Sequence, residues 1–123
     1  MILEKIKGPA ELKALSVAEL NALSGEVRDA LLKKLSIHGG HFGSNFGIVE
    51  ATIALHYVFN SPKDKFVFDV SHQTYAHKML TGRAEAFLDE SKYFESGRKV
   101  AFDEICRTFD DRSFRKTEFM FIL

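Results

Sequence analysis

The stretch KFVFDV, residues 65–70, limits most strongly what this chain can fold into. It is short, aromatic and β-branched. Asn60, Ser61 and Pro62 precede it as helix-ending residues, and Ser71, a helix-capping type, follows. Its near-continuous apolar character predicts a strand over 66–70 that is buried on both faces, as in a parallel sheet. A strand that runs straight into a helix is half of a βαβ unit. The expected fold class is therefore α/β, mostly helical over this length, with one or few parallel strands. Such a strand needs neighbours, because its edges otherwise expose unpaired N–H and C=O groups. The terminal FMFIL, residues 119–123, is the other apolar segment able to supply one.

Helices are expected on both sides. SVAE at 16–19 fits a capping box, and Leu20, Leu23, Val27, Leu31 and Leu35 recur at helical spacing, which predicts an amphipathic helix over 17–36. Gly39 and Gly40 stop it. GIVEATIALHYVF, residues 47–59, is apolar on nearly every side and predicts a buried helix. A further helix is expected over 72–80, capped by Ser71 and closed by Gly82, and another over 98–109 with Phe102, Ile105, Cys106 and Phe109 on one face.

Charge and composition narrow the function classes. Lys and Arg number 17, Asp and Glu also 17, so no basic excess supports binding of nucleic acid by bulk electrostatics. The single cysteine, Cys106, rules out an intrachain disulfide and points to a reducing compartment. Nothing near Cys106 in sequence supplies a base, so it is not a candidate nucleophile. No long apolar run exists, and MILEKIKGPAELK is too charged for a signal peptide, so a soluble cytoplasmic protein without membrane contact is expected.

The histidines carry the candidate chemistry. GGHFGSN, residues 39–45, surrounds His41 with three glycines where a plain turn needs one. Two readings stand: a turn whose histidine packs or faces water, or a loop whose glycines let the backbone approach a ligand, with His41 as a donor or proton carrier. His72 falls beyond the carboxyl end of the expected strand and at the start of a helix, where α/β sheets bind ligands and backbone N–H groups attract anions. A diphosphate would fit, although a plain helix-start residue is the alternative. His77 and Lys78 share that helix, with Lys78 expected to be solvated or to face another subunit. His56 reads as a hydrogen-bonded core histidine. Arg83, in TGR, either binds an anion or finishes a turn, the second ranking higher. His38 and His41 are three apart and His72 and His77 five apart, so neither pair has the spacing of a zinc helix, and no metal ligand is assigned.

Residues 39–83, GGHFGSNFGIVEATIALHYVFNSPKDKFVFDVSHQTYAHKMLTGR, resemble the N-terminal part of the 1-deoxy-D-xylulose-5-phosphate synthases, within the transketolase-like superfamily of thiamine diphosphate enzymes. SPKDK, FVFDV, SHQ and HK-x-LTGR occur together in family order, and the spacing from Arg28 through GGHFG also resembles the superfamily's N-terminal signature. The resemblance covers about residues 1–88. It departs at Phe46, where a smaller aliphatic residue is usual, and at Ser71, which replaces a common Gly. It implies the start of a thiamine diphosphate-binding domain. It implies that His72 contacts the cofactor and that His41 faces the reacting carbon. The family's reaction condenses pyruvate with D-glyceraldehyde 3-phosphate, releases CO2 and opens a route to isoprenoids and thiamine. The intact enzyme is expected to be a homodimer using Mg2+.

Residues 89–123 depart from that pattern. The family's Gly-His-Ser/Thr loop, its Gly-Asp-Gly motif with a downstream Asn for Mg2+, and its second domain have no counterpart here. A diphosphate without its Mg2+ leaves negative charge poorly compensated. The segment is expected to be a divergent continuation, through truncation, frame shift or a deliberately short fragment, and the chain alone is expected to be inactive. A non-catalytic helical assembly module is the competing reading.

Overall fold

The computed structural model describes residues 1–68 and 72–93, and these form a set of helices joined by short turns. After a 3-10 turn at Leu3–Lys5, helix α1 spans Pro9–Lys13 and α2 spans Val17–His38. Two pieces follow, α3 at Gly43–Phe46 and α4 at Val49–Val58. Beyond them lie α5 at Tyr75–Lys78, a wide turn at Met79–Arg83, α6 at Glu85–Leu88 and a 3-10 turn at Glu90–Lys92.

The long helix α2 forms for the reasons its sequence gives. The Glu19 N–H donates to Ser16 Oγ at 3.3 Å, and the Ser16 N–H donates to Glu19 Oε2 at 2.8 Å. That closes the capping box and satisfies two N–H groups the first turn would leave open. Leu23, Val27, Leu31 and Leu35 are buried along one stripe, with Leu20 partly buried at its start. The helix runs two residues past the expected end, to His38. There Gly39 adopts φ 70 and donates its N–H to the Leu35 carbonyl at 2.8 Å. The Glu26 carboxylate draws the chain start onto this helix by accepting the N–H groups of Ile2 and Leu3 at 3.0 and 2.7 Å.

The expected helix over 47–59 divides differently. Its first turn is already helical at Gly43, and the chain breaks at Gly47–Ile48 before α4. Gly47 donates to the Gly43 carbonyl at 3.0 Å, and a Cβ at Gly47 would stand 3.2 Å from that oxygen. The helix is not buried all round. Val49, Thr52, Ile53 and His56 face inward, whereas Tyr57 and Val58 are 41% and 65% exposed.

The strand expectation is not met. Residues 65–68 form no strand, and among the described residues there is none; positions 69 and 70 lie outside the described residues. A strand exists only through a hydrogen-bonded neighbour, and residues 65–68 instead lay aromatic rings against helices. Phe66 meets His56 edge-on at 5.0 Å between centroids and Phe59 at 6.1 Å, while Phe68 lies 5.1 Å from His77. Val67 between them is 60% exposed, so the segment is not buried on both faces. The Ser71 cap, the helix over 98–109, Cys106 and FMFIL also lie outside the described residues.

The core joins three parts of the chain. Leu3, Ile6 and Leu12 come from the start, Leu23, Val27 and Leu31 from α2, and Val49 and Ile53 from α4. Met79, Leu80 and Phe87 close it from the far side. This brings the loop after α2 beside the turn before α5. Among the described residues no helix is long and apolar enough to cross a membrane.

Candidate functional site

The loop carrying His41 exists because α2 has to stop and reverse within four residues. Gly39 and Gly40 make the reversal at φ 70 and φ 135. At Gly40 the requirement is double. The dihedral is one that side chains resist, and a Cβ would stand 2.7 Å from Leu35 Cδ2 and 3.2 Å from Tyr75 Oη. The loop thus passes the Tyr75 side chain, and His41 comes down beside His72. The ring centroids are 5.0 Å apart and tilted by 52°. His41 is exposed and His72 half-buried, so the pair faces outward together.

Asn45 holds the two segments. Its side chain is fully buried. Nδ2 donates to the carbonyl oxygens of His41 and His72, 2.7 Å each, and Oδ1 accepts the Tyr75 N–H at 3.0 Å. The last bond changes the picture at His72. That residue lies in a turn, not at the head of a helix, and α5 has four residues with its first N–H already committed to Asn45. The first N–H of α5 is therefore not free to attract an anion there.

The other histidines separate from this pair. His38 packs edge-on against Tyr93 at 5.3 Å. His56 and His77 form a buried pair of their own, with rings 4.9 Å apart and His56 Nε2 2.7 Å from His77 Nδ1. The core reading of His56 thus holds. Burial pushes both imidazoles far down, to about 3, with the charges of Arg83 and Lys78 adding to the effect on His77. Both are neutral at pH 7. His56 Nδ1 is buried with no hydrogen-bond partner. The proton between the rings therefore belongs on His56 Nε2, which leaves Nδ1 as a bare lone pair and spares a buried N–H.

Lys78 corrects its expectation. It is buried at 8% exposure, neither solvated nor on an open face, with Nζ 5.7 Å from the Tyr75 ring centroid. Burial lowers its pKa to about 8, helped by Arg83 and Lys34. Arg83 donates to Thr81 Oγ1 within its own turn, which agrees with the turn-finishing reading. A cavity of about 200 Å³ lies beside His77, lined also by Lys7, Pro9, Phe66 and Arg83, and neither His41 nor His72 borders it. Among the described residues no group of three or more His, Cys, Asp or Glu side chains could hold a metal ion.

Residues 3–95 match the family model described as 1-deoxy-D-xylulose-5-phosphate synthase. The chain belongs to the 1-deoxy-D-xylulose-5-phosphate synthase family. It is 61% identical over 87 residues to the 1-deoxy-D-xylulose-5-phosphate synthase of Macrococcus caseolyticus, covering 71% of this chain and 14% of that protein. The Acidobacterium capsulatum synthase is 56% identical over 86 residues, 70% of this chain and 14% of its own length. The synthase of Chlamydia pneumoniae is 61% identical over 82 residues, 67% of this chain and 13% of its own length. The chain thus matches about one-seventh of the length of these synthases. The family match extends to residue 95, past the boundary near 88 that the motifs suggest. Within this synthase-family chain Phe46 stacks on Phe42 with 4.2 Å between centroids.

The residue that sequence reasoning missed is Asn45. The signal was present in GGHFGSN, since a side-chain amide four residues after His41 can reach back to its carbonyl. Its bonds to His72 and Tyr75 span 27 and 30 positions and leave no local trace.

Proposed function

We propose that residues 1–88 are the opening part of a thiamine diphosphate-binding domain of a 1-deoxy-D-xylulose-5-phosphate synthase, with His72 contacting the cofactor and His41 facing the reacting carbon. The observation that carries this reading is the meeting of the two imidazoles, 5.0 Å apart, from segments 31 positions apart in sequence. The residues suit the group in part. Two outward-facing imidazoles beside glycine backbone offer donors to a diphosphate and a close approach for a ring. The donors for its Mg2+ do not follow: the sequence has no Gly-Asp-Gly, and the described residues offer no acidic cluster.

Bound there, thiamine diphosphate would supply carbanion-stabilising chemistry that no protein side chain provides. His72 would orient the cofactor through charge-assisted hydrogen bonds, each worth about 1.5–3 kcal/mol. His41, the exposed member of the pair, would accept or return a proton at its ring nitrogen as substrate reacts. Asn45 and Gly40 would keep both rings in register. In the complete enzyme the substrates are pyruvate and D-glyceraldehyde 3-phosphate, the product 1-deoxy-D-xylulose 5-phosphate, the assembly a homodimer and the setting the cytoplasm.

This chain alone is expected to show no turnover with both substrates, thiamine diphosphate and Mg2+, and clear product formation would overturn the argument from the absent metal motif. Joined to a family-type downstream sequence it should turn over, and His72→Ala should then weaken cofactor binding in a calorimetric titration. Unchanged affinity would remove His72 from its role. The second reading, a non-catalytic assembly module, draws on the exposed Val17, Tyr57, Val58 and Phe59. Light scattering separates it, since a clean monomer counts against an assembly role.

A further inference from the structure

We propose that Asn45 is a positioning residue for the His41–His72 pair, a clip that sets the distance between the two imidazoles without touching a ligand itself. The inference rests on the reading that these histidines work together. Three of the four hydrogen bonds an asparagine side chain can make are in place, and all three reach the histidine-bearing segments: His41 O, His72 O and Tyr75 N. The amide orientation is fixed by chemistry, because two carbonyl oxygens can only face Nδ2 and an N–H can only face Oδ1. The side chain is fully buried, so water cannot replace these bonds if they are lost. Asn45 lies in the one-turn helix Gly43–Phe46, whose C-terminal carbonyl, that of Phe46, accepts from Arg28 of α2 at 3.3 Å. The clip is therefore anchored to the longest helix.

The His41 and His72 rings share no hydrogen bond, only a tilted approach. A near-isosteric Asn45→Asp change keeps Oδ1 for Tyr75 and turns both donated bonds into repulsion between a carboxylate and two carbonyls. The rings should then part while the rest of the core stays intact. The buried His56–His77 pair, at 4.9 Å, supplies an internal reference in the same spectrum.

The test is NMR on the full chain with labelled histidine. The wild type should show ring-to-ring cross-relaxation for both pairs. In Asn45→Asp the His41–His72 cross-peak should be lost and the His56–His77 cross-peak kept. Retention of both peaks would overturn the proposal. Should the variant unfold and lose both, hydrogen exchange on the wild type decides: the Asn45 Nδ2 protons should exchange about tenfold slower than a free amide, the protection of a bond worth ~1.4 kcal/mol. Exchange at the free rate would overturn the proposal. Neither readout uses the cofactor, so an unchanged cofactor affinity of His72→Ala in the chain joined to its downstream sequence refutes the proposed function and leaves the clip standing.

Discussion

Lowering the pH from 7.5 to 5.0 should destabilise this chain through two side chains. His56 and His77 are buried against each other with room for one proton between Nε2 and Nδ1, and burial holds both pKa values near 3. In the unfolded chain an ordinary imidazole titrates at about 6.5. Above that value both states are neutral and the pair has no pH-dependent effect. Below it the unfolded chain binds protons that the folded chain refuses, so stability falls as pH drops, from about 6.5 down toward the folded value. At pH 5.0 each histidine should cost about 2 kcal/mol, and the pair up to about 4. Carboxylates do not confuse this window. Glu19, Glu50 and Asp89 have lowered values, caused mainly by hydrogen bonds to Ser16, Arg28 and Ser91, and their contribution is lost only as pH falls through the ordinary carboxylate range. Urea unfolding followed by circular dichroism at the two pH values reads the difference. A His56→Leu/His77→Leu chain should show a nearly flat response over the same interval. A wild type equally stable at both pH values would refute the buried neutral pair.

Gly40→Ala places a methyl 2.7 Å from Leu35 Cδ2 at φ 135 and should cost about 1–3 kcal/mol, with a shift of the Tyr75 ring signals in NMR. Gly82→Ala meets the Lys7 carbonyl oxygen, a backbone atom, at 3.0 Å with φ 86, and should lower the urea midpoint by an equivalent of about 1–3 kcal/mol. Ser16→Ala removes the acceptor of the Glu19 N–H and should cost about 1 kcal/mol, read as lost helicity on mild heating.

The parts of the fold that were legible in the sequence are those decided locally. The cap, the apolar stripe and the stop of α2 all lie within a few residues of what they control, and they appear as expected. The segment 65–68 was misread because β structure depends on a neighbour that local sequence cannot show, and here Phe66 and Phe68 pack on histidines instead. Lys78 was misread for a related reason: position on a short helix says nothing about what closes over it. At the site, His41 and His72 were readable as candidates from glycine spacing and motif. Their convergence depends on Asn45, two of whose three partners are remote in sequence. The core identity of His56 followed from its apolar helix, but its partner His77 lies 21 positions away.

The most direct measurement of the central claim is the distance between imidazoles 41 and 72 in solution, read by ring-proton cross-relaxation in the folded wild-type chain. Rings about 5 Å apart, as in the structure, should give a clear cross-peak between those two residues. A spectrum in which the His56–His77 peak is present and the His41–His72 peak is absent would contradict the account.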